Sequence, residues 1–351
     1  MVDTLIEIID RVAAMLPPPD PAALVAALAT PASRAEHDRF ARAISALSTV
    51  EYREPPTAPA AKAGLRVVAW NAERLKYGPA SAALLEPLAP DVVLLSETDL
   101  GMARSGNRHT TADLAAALGM GYAYGVEFVE LSLGDQREQQ WHRNERNAVG
   151  FHGNAILSRL PLTDIALIRL DTGGRWFAGR GGEQRRIGGR MAIAARIAAG
   201  VGTNGSSTDL VAVSLHLESD SDAQDRAQQM TRLLAALNAR YGQARMVIGG
   251  DCNTAELPRC ADPRAWADRC EAYEPLFDVM AGAGFSWRDA NDMAPSQRQR
   301  PDGMPLPPFN RIDWLFTRDL TAAAPRTIAA IDAAGSAISD HEALVVDLAV
   351  G

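Results

Sequence analysis

The sequence predicts an α+β fold in which two sheets pack face to face and helices cover both outer sides. Short β-branched apolar runs, bounded by turn signals, recur over most of the chain, and amphipathic helical patterns are interspersed among them. With 351 residues, of which 47% are hydrophobic, the chain can bury a large core. We therefore expect a four-layer α/β/β/α sandwich with an N-terminal helical extension.

The extension is predicted over residues 1–61. Its first helical pattern consists of apolar residues at three- and four-residue steps, Leu5, Ile8, Ile9, Val12 and Met15. Prolines 17 to 19 break this pattern and a second helical pattern starts at Pro21. The proline-rich stretch 54–60 then connects the extension to a main domain over residues 62–351.

The main domain opens on a strand pattern. Four β-branched runs predict buried strands over residues 66–70, 92–95, 210–215 and 246–249. The clearest amphipathic helix is predicted over residues 222–241. Three polar segments that carry arginines are predicted to be long loops near a site, at residues 134–147, 171–190 and 287–310. We expect the second of these loops to contact substrate.

Composition limits the class of protein. The chain has no basic start followed by a long apolar run and no stretch near the roughly 20 apolar residues of a spanning helix, so neither a secretory signal nor a transmembrane segment is predicted. Three cysteines do not form a disulfide framework, and we expect a cytoplasmic protein. The net charge of -8 argues against a broad basic surface for nucleic acid but allows local phosphate binding.

Polar clusters follow several predicted strands. Asn71 and Glu73 follow the first strand, Glu97 follows the second, and Asp251 and Asn253 follow the fourth. Carboxylate and amide oxygens are ligands that suit Mg²⁺ or Mn²⁺. Hydrolysis of a phosphoester needs such charge neutralisation together with an activated, aligned water. The clusters therefore predict a metal-dependent phosphoesterase site.

The order of these clusters resembles the endonuclease/exonuclease/phosphatase superfamily, which has the deoxyribonuclease I-like fold. The similar blocks span residues 66 to 349 and are WNAE (70–73), LSE (95–97), GNAILSR (153–159), SLHL (214–217), GGDCN (249–253), NRID (310–313) and ISDH (338–341). The resemblance implies mainly antiparallel sheets and makes residues 62–351 the catalytic domain. It also implies in-line attack of water on phosphorus without a covalent enzyme intermediate.

The resemblance further implies a role for each block. The metal ligands would be Asn71, Glu97, Glu73 and Asp340. The catalytic residues would be His216, Asp251, Asn253, Asp313 and His341. The substrate-binding residues would be Arg190, Arg186 and Asn154, although Asn154 could instead brace its strand. Asp313 would fix the tautomer of His341, and which histidine acts as acid stays open.

The predicted function is a divalent-metal-dependent phosphodiesterase of the nuclease type, with a phosphoester and nucleic acid as the expected partners. Two alternatives stay open. One is a phosphomonoesterase or phosphodiesterase acting on a small soluble or lipid-derived phosphate ester, because loops set specificity in this superfamily. The other is a catalytically silent relative that binds ligand only. The sequence does not disclose the oligomeric state.

Overall fold

The structure is a computed structural model that describes residues 7–57, 64–171, 174–180, 183–198, 209–259, 264–298 and 310–349. The predicted domain boundary near residue 62 lies outside these ranges, as do parts of the loops 171–190 and 287–310. Among the described residues, none of the helices combines the length and the apolar character needed to span a bilayer.

Strands and helices alternate along the described residues, in the N-terminal extension as well as in the main domain. The strands are β1 (Ile8–Ile9), β2 (Val12–Ala13), β3 (Val50–Arg53), β4 (Gly64–Arg74), β5 (Val92–Leu100), β6 (Gly121–Glu130), β7 (Phe151–Ser158), β8 (Leu162–Arg169), β9 (Arg186–Gly188), β10 (Met191–Ile197), β11 (Leu210–His216), β12 (Met246–Asp251), β13 (Asp313–Arg318), β14 (Thr321–Ile328) and β15 (Ala343–Ala349). The helices are α1 (Pro21–Ala29), α2 (Arg34–Ala43), α3 (Gly78–Leu85), α4 (Thr110–Leu118), α5 (Gln136–Trp141), α6 (Ala223–Tyr241), α7 (Arg264–Ala267) and α8 (Leu276–Gly282).

The strands form two sheets. The first has the order β1-β8-β10-β11-β12-β13, and the second has the order β14-β15-β4-β5-β7-β6-β3-β2 with β9 beside β6. Most neighbouring strands are antiparallel, and the parallel neighbours are β11 with β12, β4 with β5, and β2 with β3. The predicted mainly antiparallel architecture is therefore confirmed.

Three apolar layers hold the sandwich together. Alternate residues of β4 face opposite sides, so Val67 and Ala69 pack between the sheets while Val68 and Trp70 pack under the outer helices. On the other sheet, α6 and α8 cover the outer face in the same way. The helix predicted at 222–241 is α6, whose first turn is capped by Asp222 through the backbone nitrogen of Asp225.

The N-terminal part differs from its prediction. The helical pattern from Leu5 to Met15 is wrong where the structure describes it, because Ile8–Ile9 pairs with β8 and Val12–Ala13 pairs with β3. β-branched residues suit strands, and a free sheet edge can accept them. The second helical pattern is confirmed by α1, which begins at Pro21 behind the capping side chain of Asp20.

Candidate active site

One cleft, of about 490 Å³, opens where β4, β5, β11 and β12 end. Most of the predicted site residues line it, namely Glu97, Arg186, Arg190, His216, Asp251, Asn253, Asp340 and His341. Asn71, Glu73 and Asp313 hydrogen-bond to residues in that lining. Separate blocks of the sequence, more than 200 residues apart, thus meet at one place.

His341 is held by Asp313. The Nδ1 atom of His341 lies 2.8 Å from Oδ2 of Asp313, and both side chains are buried. Burial opposes a charge on the ring, but the negative charges of Asp313, Asp340 and Asp251 outweigh it and raise the pKa of His341 well above its usual range. The pair therefore favours the charged form of the ring, with Nδ1 donating to Asp313 and Nε2 left for the cleft.

Asp251 lies between the two predicted catalytic histidines. Its Oδ2 atom is 3.5 Å from Nε2 of His216 and 3.8 Å from Nε2 of His341. Burial raises the pKa of Asp251, and the charge of Asp313 raises it further, against the opposing effect of both histidines. Asp251, Asp313 and His341 also place one possible ligand atom each within 4.8 Å of one another.

A buried guanidinium fixes His216. Nη1 of Arg190 lies 2.9 Å from Nδ1 of His216 and 3.0 Å from Oε1 of Glu127, while Nε of Arg190 lies 3.4 Å from Glu218. Because arginine can only donate, Nδ1 of a neutral His216 accepts and its proton is on Nε2, toward the cleft. Arg190 thus sets the tautomer of His216 as well as lining the cleft.

The predicted metal ligands lie beside Asp251 and His341 in the same cleft. Nδ2 of Asn71 lies 3.3 Å from Oε1 of Glu97, and the backbone nitrogen of Asp340 donates to Oε2 of Glu73 at 3.1 Å. Burial raises the pKa of Asp340, and Glu73 and Glu97 raise it further against the opposing effect of His341. Asn71 and Asp340 are buried and Glu73 and Glu97 are partly buried, so these residues offer several oxygen atoms of the kind that a hard divalent cation prefers.

Backbone strain is concentrated at the same place. Glu73, Glu97 and Asn253 have φ angles of 42°, 55° and 49°, a left-handed conformation that non-glycine residues rarely adopt. Glu73 lies in the irregular part of β4, where the pairing with β5 shifts register between Asn71 and Arg74. Such strain is commonly found at functional sites, where surrounding contacts hold it in place.

Two predicted substrate-binding residues occupy distinct positions. Arg186 lines the cleft, with its guanidinium 5.0 Å from the ring centres of both Phe128 and Trp176 and its Nε 2.9 Å from Glu130. Asn154 is fully buried, and its Nδ2 donates to the carbonyl of Met191 on the other sheet at 3.1 Å. This position favours the bracing role for Asn154.

Several residues around the cleft were not predicted from the sequence. Arg74 donates to Glu97 at 2.8 Å and also lies 3.0 Å from Glu138. Burial lowers the pKa of Arg74, but the charges of these two carboxylates outweigh burial and raise it. Glu127 and Glu218 anchor Arg190. They lie in a strand and a loop whose local patterns carry no catalytic signal, so only the three-dimensional contacts identify them.

Comparison with known proteins agrees with this geometry. Residues 68–341 match the model of the Endonuclease/Exonuclease/phosphatase family. No curated protein matches the sequence significantly.

Solved structures of low sequence identity share the fold. An endonuclease/exonuclease/phosphatase from Beutenbergia cavernae is 22% identical with a TM-score of 0.55, covering 83% of this chain and 72% of its own. An endonuclease/exonuclease/phosphatase from Bacteroides vulgatus is 14% identical with a TM-score of 0.53, covering 83% and 100%. The human Nocturnin catalytic domain, solved with a bound sulfate anion, is 16% identical with a TM-score of 0.50, covering 86% and 97%. With the family model matched over most of its length, this chain belongs to the Endonuclease/Exonuclease/phosphatase family.

Proposed function

We propose that this protein hydrolyses phosphodiesters by in-line attack of a water molecule in the cleft, with Mg²⁺ or Mn²⁺ as cofactor. The observation that carries the proposal is the position of Asp251, whose Oδ2 lies within 3.8 Å of Nε2 of both His216 and His341. A carboxylate between two imidazoles can orient a water and take its proton while the imidazoles bind the phosphate.

Asp251 is the proposed general base. Its pKa is raised by burial and by Asp313, which makes the carboxylate a better proton acceptor than a solvent-exposed one. The backbone nitrogen of Asn253 donates to Oδ1 of Asp251 at 2.8 Å, and Nδ2 of Asn71 donates to Oδ2 at 3.0 Å. These donors hold the carboxylate in one orientation toward the cleft.

The two histidines have different proposed tasks. His216 presents Nε2–H because Arg190 occupies its Nδ1 side, so it is the proposed donor to a non-bridging oxygen of the phosphate. His341 is charged, because Asp313 and two further carboxylates raise its pKa, so it is the proposed acid for the leaving oxygen. Of the two histidines, His341 is therefore the one that we propose as the acid.

The metal ion is proposed to be held by Asn71, Glu97 and Asp340, with Glu73 as a further ligand. When bound, a divalent cation neutralises charge on the phosphate and stabilises the leaving oxygen. The chain itself prepares the site: Lys76 neutralises one oxygen of Glu73 at 2.7 Å, and Arg74 neutralises one oxygen of Glu97 at 2.8 Å. The other oxygen of each carboxylate accepts a hydrogen bond, Oε2 of Glu73 from the backbone nitrogen of Asp340 and Oε1 of Glu97 from Nδ2 of Asn71.

A diester fits the charge of the cleft better than a monoester. Each buried arginine of the lining is already paired with a carboxylate: Arg74 with Glu97 and Glu138, Arg186 with Glu130, Arg190 with Glu127 and Glu218. Little positive charge is therefore left over for a dianion, because burying an uncompensated charge is unfavourable. The His341 ring is likewise paired with Asp313. A phosphodiester carries one negative charge, which leaves less charge for the proposed metal ion to neutralise.

The test is hydrolysis of bis-p-nitrophenyl phosphate and p-nitrophenyl phosphate, with plasmid and single-stranded DNA in parallel. Each substrate is measured with Mg²⁺, with Mn²⁺ and with chelator, using His341→Ala as the inactive control. Metal-dependent diester cleavage that is lost in the variant supports the proposal, and DNA cleavage would identify a nuclease. Cleavage of the monoester alone would favour a phosphatase, and no cleavage by the parent would favour a binding protein.

A further inference from the structure

One tryptophan beside the cleft is exposed to solvent. Trp141 is the last residue of α5 and is 67% exposed. The chain has six tryptophans, and none of the other five is more than 6% exposed, namely Trp70, Trp176, Trp266, Trp287 and Trp314. A single exposed apolar side chain needs no explanation by itself, so the case depends on what surrounds Trp141.

The α5 helix is tied to the catalytic cleft. Glu138, in the first turn of α5, lies 3.0 Å from Arg74 and 3.0 Å from Arg104. Arg74 in turn donates to Glu97, a proposed metal ligand, at 2.8 Å. Charge-assisted bonds of this kind fix position as well as charge. The helix that carries Trp141 is therefore held at a set place relative to the proposed metal site.

Arg137 connects Trp141 to the cleft. Arg137 lines the cleft, and the central carbon of its guanidinium lies 5.9 Å from the centre of the Trp141 ring. The two residues are four positions apart, so they share one face of the helix at a separation of roughly 6 Å along its axis. A substrate that extends past Arg137 along this face meets the aromatic surface of Trp141.

The surroundings of the Trp141 ring are polar. The rest of α5 reads QREQQ, and the following residues 142–146 read HRNER. The other large apolar side chains that the described residues expose lie in different segments, and they are Val12, Met15, Val25, Leu28 and Tyr77. Insertion into a bilayer uses a whole apolar helix face, and the centre of a protein interface uses a cluster. A lone indole among amides and guanidinium groups suits instead a flat ligand with polar edges.

We propose that Trp141 is a stacking platform for an unpaired nucleobase of the substrate, beside the nucleotide whose phosphodiester lies in the cleft, and that the substrate class is single-stranded nucleic acid. This inference rests on the proposed function, because it concerns the same cleft. Aromatic side chains stack on bases without sequence preference, while neighbouring cationic groups follow the backbone. In a duplex the bases are paired and stacked on one another, so the ring has no free face to contact.

The acidic character of the chain is consistent with this mode of binding. A net charge of -8 disfavours a protein that coats nucleic acid through a broad basic surface. One aromatic platform beside the arginines of the cleft needs no such surface. Arg137 is itself 3.2 Å from Asp135, so the ring face adds binding energy that the partly neutralised arginine does not.

Acrylamide quenching of tryptophan fluorescence tests binding at Trp141 directly, because the other tryptophans are buried. Trp141→Phe should lose the acrylamide-sensitive emission and so identify its source. With Ca²⁺ in place of Mg²⁺ to limit cleavage, a saturating oligothymidylate should protect Trp141 from acrylamide. An abasic strand of the same length, which keeps the phosphates and lacks the bases, should give little protection, and so should a duplex.

The same titrations can overturn the proposal. No protection by oligothymidylate would refute a base contact, and equal protection by the abasic strand would show that phosphates alone are bound. Equal protection by the duplex would refute the preference for single strands. Protection by vesicles of anionic phospholipid, without protection by oligothymidylate, would assign the ring to a membrane surface instead.

Kinetics with substitutions at position 141 separate stacking from simple apolar contact. Trp141→Ala should lose roughly fivefold to a hundredfold in kcat/KM for oligothymidylate, the range for one base stacked on an aromatic ring, and the loss should appear mainly in KM. Trp141→Phe keeps an aromatic face and should retain most of the activity. Trp141→Leu keeps apolar bulk without that face and should resemble Trp141→Ala.

Val25→Ala is the matched control, since it removes another exposed apolar side chain, 70% exposed in α1, and should leave kcat/KM unchanged. Equal activity of Trp141→Leu and Trp141→Phe would overturn the stacking role. If the parent cleaves no phosphoester but oligothymidylate specifically protects Trp141, the proposed reaction fails while the platform stands. If the parent cleaves bis-p-nitrophenyl phosphate but oligothymidylate leaves Trp141 unprotected, the reaction stands and the platform is refuted.

Discussion

Replacing Asp313 by asparagine should move the pH dependence of hydrolysis, because this carboxylate is the largest of the charges that favour the His341 imidazolium. The substitution keeps the shape of the side chain and removes its charge. His341 should then lose its proton at a lower pH. Since the proposed reaction uses protonated His341 as the acid, the alkaline limb of the profile should shift downward.

The size of the shift follows from the geometry. Asp313 and His341 are in direct contact at 2.8 Å between Oδ2 and Nδ1. Two unit charges about 4 Å apart interact by about 4 kcal/mol at an effective dielectric constant of about 20, so the charge of Asp313 is a large part of what favours the protonated ring. The same substitution lowers the pKa of Asp251, which Asp313 raises. The acid limb should therefore move in the same direction.

The assay is kcat/KM for bis-p-nitrophenyl phosphate from pH 5 to pH 9 at saturating metal. We expect Asp313→Asn to lose about a hundredfold at pH 8 and only about tenfold at pH 6, within the range for general acid-base groups. Asp289→Asn, which removes an exposed carboxylate, is the control and should keep the parental profile. A deficit of equal size at every pH would refute the reasoning, because it would show that Asp313 does not act through protonation.

Three further outcomes are expected. Asp251→Asn should lose about a thousandfold in kcat. It should not lower the midpoint of thermal unfolding, because a raised pKa means that the charge of Asp251 is unfavourable in the folded protein. A large loss of stability would contradict this. Glu97→Gln should raise the Mg²⁺ concentration for half-maximal activity by roughly tenfold to a hundredfold, and an unchanged metal dependence would remove Glu97 from the ligand set. Burial alone would raise the pKa values of Glu138 and Glu218, but neighbouring arginines lower both to about 2. The two carboxylates therefore stabilise the fold fully above their unfolded pKa near 4.5, and this stabilisation is lost as pH falls toward 2. Urea unfolding at pH 6, 4 and 2.5 should show this decline, whereas constant stability would argue against the pairing.

Strands and their polar ends were predictable because their causes are local. A β-branched run such as 246–249 suits a buried strand. Polar residues that follow such a run are disfavoured in the apolar core, so the pattern alone places Asp251 at the carboxyl end of its strand. The α6 helix was predictable for the same reason, since its apolar face and its cap at Asp222 lie within one stretch of sequence.

The failures came from contacts that are distant in sequence. Ile8 and Val12 show helical spacing, but each pairs with a strand that lies far along the chain, and a pattern of one segment cannot show what the neighbouring edge offers. The pairing of Arg190 with Glu127 and His216 joins β6 and β11 to the residue that precedes β10. No local spacing relates these residues, so a substrate contact was predicted for Arg190 and its hold on His216 was missed.

Buried arginines link the chemistry of the cleft to the stability of the fold. Arg104 and Arg190 in the interior, and the partly buried Arg74, each contact at least two carboxylates. Removing charges from water is unfavourable, and a hydrophobic core of similar volume is often as stable or more so. An apolar replacement could fill the space but could not give an imidazole its tautomer or hold a carboxylate at a set angle. The stabilities of these pairs and the positions of the reacting groups therefore depend on the same contacts, and a variant that breaks one should impair both.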